Sequence, residues 1–286
     1  MKQISFFAAS AVLSALLIAC SGAATSAKAA ELRPETINAW NDYIAAREKR
    51  IAAELKSSKG FLVMDSLNPP AADEERRAVL AGEIPVKRMD PAGGKSDFQI
   101  TGGTIHHWRG VVFIPDVSFE FAMHRIRHPE LEKEMQKDVL ESRVIERVSQ
   151  DRYRLFLKLK RTQIITVVYN TEHLVNFSKH GNDKHSSSSV SVKIAEVEQS
   201  GGLEREKPEG NDNGFLWRMN SYWRYQKVSG GVMVECETIT LSRSIPFILE
   251  GLTRPIINNI AGESMERTLR ELRERMVRAA ASPDIS

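Results

Sequence analysis

Residues 215–228 read FLWRMNSYWRYQKV, residues 232–244 read VMVECETITLSRS, and residues 263–280 read ESMERTLRELRERMVRAA. In the first two segments polar and apolar residues alternate at period two along the whole length. That pattern predicts antiparallel strands with two chemically distinct faces. Ser229, Gly230 and Gly231 stand between them and predict a tight hairpin turn. In the third segment Met265, Leu269, Leu272, Met276 and Ala279 recur at three-and-four spacing among charged residues. One apolar stripe of this kind predicts a helix lying across a sheet. A long terminal helix closing over a curved antiparallel sheet often encloses a cavity.

The hairpin also fixes an expected register. If Lys227 faces Val232, then Arg224 faces Glu235 and Tyr222 faces Glu237 on one side of the sheet. Phe215, Trp217, Met219, Trp223 and Tyr225 occupy the other side, opposite Thr240, Thr238, Cys236 and Val234. Aromatic walls with a few hydroxyls suit a lipid-like ligand, so this side is the expected pocket lining. The competing expectation is a solidly packed core. Arg224 with Glu235 and Tyr222 with Glu237 read as satisfied cross-strand pairs rather than as acid–base machinery.

A chain of 286 residues can bury one sizeable core, and 42% hydrophobic with 27% charged residues is ordinary for a globular protein. The net charge of +3 comes from Arg and Lys mixed among Glu, without the basic stripe that nucleic acid requires. Nucleic acid is therefore not an expected partner. At the N-terminus, Lys2 precedes the apolar run ISFFAASAVLSALLIA, residues 4–19, which is too short to span a bilayer comfortably and reads as a secretory signal. Leu17-Ile18-Ala19-Cys20 resembles a bacterial lipobox, which makes Cys20 the expected lipidated residue; the competing site is ordinary cleavage after Ala29. Asp is absent at position 21, so lipoprotein sorting implies the outer membrane and a periplasm-facing domain. Only Cys20 and Cys236 are present, so acylation of the first leaves no intrachain disulfide. Cys236, mid-strand, reads as a small buried thiol.

Expected segments are a signal peptide over 1–19, a lipidated Cys and linker over 20–33, a helical extension over 34–101 and a sheet domain over 102–280. In the extension, Pro34 opens a helix with Ile37, Trp40, Ile44, Ile51 and Leu55 on one face, residues 61–67 form a short buried segment, and a second helix follows around 74–81. The sheet domain begins with a strand over 102–114, then a helical stretch from Pro115 through HPELEKEMQKD, then strands near 142–148, 152–161, 163–170 and 172–178. A polar loop over 179–189, a strand over 190–197 and a second loop over 199–214 lead into the hairpin. Residues 245–262, apolar but interrupted by Gly251 and Pro255, read as a mobile lip, a membrane-touching loop or a packed connector, and are too broken for a membrane span.

The chain from 102 to 280 resembles the helix-grip (SRPBCC) superfamily, which includes START lipid-transfer domains and polyketide-cyclase-like proteins. The residues that carry the resemblance are Gly103-Thr104-Ile105-His106-His107-Trp108-Arg109-Gly110 and the exit Val112-Phe113-Ile114-Pro115. With them go Phe215-Leu216-Trp217-Arg218, Ser221-Tyr222-Trp223-Arg224-Tyr225, Glu235-Cys236-Glu237, Pro246 and Pro255. The resemblance implies an α+β fold with a curved antiparallel sheet wrapped around the C-terminal helix, and a hydrophobic pocket between them. It implies no fixed catalytic set.

The expected function is non-catalytic binding of a hydrophobic or amphipathic small molecule, with Trp217, Met219, Trp223, Tyr225, Met265 and His107 as ligand-binding residues. The alternatives are a cyclase or hydratase using His107, Tyr222 or Glu237, and a structural envelope lipoprotein. No cofactor and no metal are expected. His124 and His128 have metal-ligand spacing on a helix, but Arg125 and Arg127 crowd them and no third ligand is identifiable. No phosphate loop, nucleophile elbow or HExxH sequence is present.

Overall fold

The computed structural model describes residues 31–58, 60–89, 98–129, 137–162, 166–200, 202–209, 211–243 and 247–281, with side chains at all of these except 200 and 247–260. The signal segment, Cys20, most of the linker, residues 130–136, residues 163–165 and Pro246 lie outside the described residues.

Helix α1, Pro34–Leu55, starts where Pro34 pre-sets the first turn and buries Trp40, Tyr43, Ile44 and Ile51 along one stripe. A 3-10 turn, Val63–Ser66, follows and carries the buried Val63 and Met64. Helix α2, Pro69–Leu80, completes the extension. Three-residue strands β1, Val86–Arg88, and β2, Phe98–Ile100, then precede β3, Gly103–Pro115. Both pair with β3, although the sequence places them within a helical extension. Runs of three residues are too short to display an alternating pattern.

After α3, Phe119–Arg127, capped by Ser118, come β4, Val139–Ser149, β5, Arg152–Thr162, β6, Thr166–Lys179, and β7, Lys184–Ser200. Strand β8, Leu203–Glu206, leads to the hairpin of β9, Arg218–Val228, and β10, Gly231–Arg243. Helix α4, Phe247–Ala281, ends the chain. The sheet runs β1-β3-β10-β9-β7-β6-β5-β4, with β2 on β3 and β8 on β7, and every pairing is antiparallel.

The hairpin register is the one expected: Arg224 opposes Glu235 and Tyr222 opposes Glu237. Gly230, at φ +79°, supplies the left-handed turn residue between Val228 and Gly231. Elsewhere the structure corrects the sequence reading. The strands expected at 163–170 and 172–178 are one strand, β6, because its inward positions 167 to 177 alternate without a break. The loop expected over 179–189 ends at 183, and its serines belong to β7, where they pair with β6 and β9. Serine has little strand preference, so only long-range pairing makes this segment extended. From Phe247 onward, the segment expected as a lip or connector over 245–262 is helical, and residues 245–246 lie outside the described residues. Pro255 removes one backbone hydrogen bond, a cost of about 3 kcal/mol in a helix interior, and α4 continues past it.

Candidate functional site: the concave face of the sheet

Two contacts show how the sheet curls. Met265 and Leu269 of α4 press on Gly110 of β3, where an added Cβ would lie 2.6 Å from Leu269 Cδ1. At the far end of the strand order, Arg267 pairs with Asp138, one residue before β4, and Glu271 accepts the Lys137 backbone N–H at 3.3 Å. One helix therefore bridges both ends of the sheet. This is a helix-grip fold.

The helix-grip geometry gives the sheet a concave face toward α4, and α1 and α2 cover its convex face at β3, β10 and β9. Cross-strand register assembles the concave face row by row. Trp108 opposes Thr238, Thr238 opposes Ser221, Ser221 opposes Ser189, and Ser189 opposes Val175. The next row joins Ser191, His173 and Leu155. One apolar cluster flanks these rows with Tyr225, Cys236, Tyr153, Phe177, Met265 and Leu272, against which Trp108, Trp223 and Leu155 pack half-buried. A second cluster on the other flank holds Leu159, Val167, Tyr169 and Ile194, with Met219 half-buried against it.

The hydroxyls between the clusters are partly partnered with one another. Ser221 Oγ lies 3.2 Å from Thr238 Oγ1, Ser187 Oγ lies 3.0 Å from the Tyr225 hydroxyl, and Ser191 Oγ accepts the Met219 N–H at 2.9 Å. Burial raises the Tyr225 hydroxyl far above its usual range and pushes the Cys236 thiol up to about 12. Neither is ionised near neutral pH. Trp223, Ser221, Ser189 and Thr238 are half-buried at mid-strand positions of interior strands, with strands on both sides. Their exposure therefore opens onto the concave side.

The convex face has the opposite character. Arg109 donates to Glu235 at 2.9 Å and to Glu75 at 2.5 Å, while Glu235 also accepts the N–H groups of Val63 and Met64. Arg224 donates to Glu54 at 2.5 Å and to the Phe61 carbonyl at 3.0 Å. His107 donates from Nε2 to Glu237 at 2.7 Å, and its Nδ1 lies 2.8 Å from the Tyr43 hydroxyl; Arg50 also pairs with Glu237. Burial raises the Glu237 carboxyl, but the hydrogen bond and charge of His107, together with Arg50 and Arg224, outweigh it and hold the group below its usual range.

Arg224 and Glu235 thus face each other as expected, yet each takes its hydrogen-bond partners elsewhere, from the extension and from Arg109. The elements that cover the face reach these side chains first. The expected site residues divide accordingly. Trp223, Tyr225, Met265 and Met219 line the concave face. Trp217 does not: its indole donates to Asp212 at 3.1 Å, and it packs with Trp40, Tyr43 and Ile51 beneath α1. It precedes the first residue of β9, so period-two counting assigns it to the wrong side. His107 lies on an odd position of β3, which faces α1. The His124 and His128 rings lie 5.0 Å apart, and among the described residues no three potential metal ligands gather. Sequence reading missed Ser187, Ser189, Ser191, Thr171 and His173. The period-two pattern of β6 could have found the last two.

No protein-family model and no curated protein matches the chain. Among solved structures the chain is similar to human STARD10, at 10% identity and TM-score 0.44, covering 78% of this chain and 84% of that one. It is also similar to a protein of Thermus thermophilus, at 19% identity and TM-score 0.41, covering 60% and 97%. A STAR-related lipid transfer protein from Xanthomonas axonopodis gives 14% identity and TM-score 0.39, covering 66% and 98%. At this level of likeness the chain's own side chains, and not these neighbours, decide what its concave face can hold.

Proposed function

We propose that the protein binds a hydrophobic or amphipathic small molecule on its concave face without transforming it, and does so while anchored through Cys20 to an envelope membrane that faces the periplasm. The observation that carries this reading is the contrast within one face. Half-buried Trp108, Trp223 and Leu155 offer apolar walls, and the Thr238–Ser221–Ser189 row offers neutral hydroxyls between them. Mostly apolar lining with a few placed polar groups is the composition of small-molecule sites. The residues of the catalytic alternative support no chemistry there. His107, Tyr222 and Glu237 lie under α1, buried, each with a protein partner. The anchor rests on the Leu17-Ile18-Ala19-Cys20 sequence and the outer membrane on the absence of Asp at position 21.

The test is native mass spectrometry of the protein purified without detergent exchange, followed by organic extraction. A bound apolar molecule, released together with a gain in dye binding, is the expected result. A ligand-free protein that takes up neither dye nor acyl probes would overturn the reading. Incorporation of labelled fatty acid, abolished by Cys20→Ser, tests the anchor separately.

A further inference from the structure

His173 stands between the two apolar clusters of the concave face and is 1% exposed. Its Nε2 lies 3.0 Å from Thr171 Oγ1. The Thr171 hydroxyl has one proton, and that proton is donated to the Leu157 carbonyl at 3.0 Å. Thr171 is therefore an acceptor toward His173, and Nε2 is the ring nitrogen that carries hydrogen. This leaves Nδ1 as a bare acceptor, buried and without a partner among the described residues. Opposite it, β7 bulges between Lys193 and Ser191, which turns Val192 outward and breaks the ladder beside His173. Bulges of this kind recur next to functional sites because they re-aim side chains.

We propose that His173 Nδ1 is the polar anchor of the concave site, and that it selects a neutral amphipath presenting a hydroxyl or amide N–H donor. The inference rests on the binding reading above and narrows it. A donor from the ligand would complete a chain running ligand O–H to His173 to Thr171 to the Leu157 carbonyl, in which each proton already has its direction. Burial lowers His173 to about 4, so the ring stays neutral at physiological pH and offers no charge to an anion. A carboxylate, which only accepts, meets a lone pair and is disfavoured. An ether lacks the donor as well.

The experiment compares hexadecanol, hexadecyl methyl ether and hexadecanoate as competitors of the neutral dye N-phenyl-1-naphthylamine, in wild type, His173→Phe and His173→Asn. Expected is about tenfold tighter binding of the alcohol than of the ether in wild type, the loss of one good hydrogen bond. That preference should vanish in His173→Phe and return in part in His173→Asn, whose amide oxygen restores an acceptor. Nitrogen NMR of the wild-type histidines gives a readout that needs no variant. The His173 Nδ1 signal should move with the alcohol and not with the ether. Equal affinities for alcohol and ether, with no shift at Nδ1, would make His173 a packing residue and overturn the inference while leaving the binding reading intact. Failure of all three probes to bind would overturn both.

Discussion

The two faces of the hairpin are built from alternate residues of the same two strands, yet they solve opposite problems. On β9, Asn220, Tyr222 and Arg224 face the extension, and Ser221, Trp223 and Tyr225 face α4. On the convex side, charges are buried against other charges and against backbone N–H groups, so each contact is protein to protein. On the concave side no charge among the described residues enters the central rows, and aromatic and hydroxyl groups retain exposure. A buried charge is tolerated only with its partners in place, which suits a fixed joint between segments distant in sequence. Neutral hydroxyls and half-covered rings cost little when bare and can accept different molecules. The polar face is therefore structural, and the plainer face is the one suited to the proposed binding.

The largest effect that would break this contrast is expected on the convex side. Replacing Glu235 by Leu leaves Arg109 with Glu75 as its one remaining carboxylate among the described residues, strands the N–H groups of Val63 and Met64, and should cost about 3–5 kcal/mol of stability, measured by urea unfolding. Ligand affinity of the folded fraction should stay unchanged; a selective loss of affinity at normal stability would reverse the roles of the two faces. Next in size is a pH effect on the concave side. His173 falls from its ordinary 6.5 to about 4 on folding. A depressed histidine favours the native state above its unfolded value, and that contribution is lost as pH drops from 6.5 toward 4. The full difference is about 3 kcal/mol. Burial also lowers His180 and His185, which adds in the same direction. The informative quantity is thus the flattening of the stability curve in His173→Phe relative to wild type. Smaller again, Trp223→Ala should weaken ligand binding by about 2 kcal/mol, some thirtyfold, because it removes an open wall rather than a joint. Titration with the same neutral dye measures it.

How much of this was legible in the sequence follows from where each signal is stored. The hairpin register and the stripe of α4 are local patterns, and Arg224 opposite Glu235 could be counted from the turn. The partners of those residues were not legible. Glu235 takes its hydrogen bonds from Val63, Met64 and Arg109, between 126 and 172 positions away along the chain. No periodicity encodes such a distance. Trp217 was misplaced because alternation carries no mark of the residue at which a strand begins. The Ser186–Ser189 run was read as a loop because its extended form comes from its neighbours β6 and β9, not from any propensity of its own. The concave face was therefore half visible: its aromatic half is written in a strong pattern and its hydroxyl half in a weak one.

The smallest expected effect probes whether the concave face is open everywhere or only along its central rows. Cys236 shares that face with Trp223 and Tyr225 but is 3% exposed, and its thiol, pushed up to about 12 by burial, is hydrogen-bonded to Thr238 at 3.3 Å. The thiolate is the reactive form, so a thiol both buried and held protonated should resist alkylation. Native protein treated with iodoacetamide at mildly alkaline pH should remain unmodified at Cys236 by peptide mass spectrometry, and should react once urea unfolds it. Rapid native labelling would mean that the cluster around Tyr225 opens as readily as the rows around Ser189. The site would then extend beneath Met265, and α4 itself would be its movable wall.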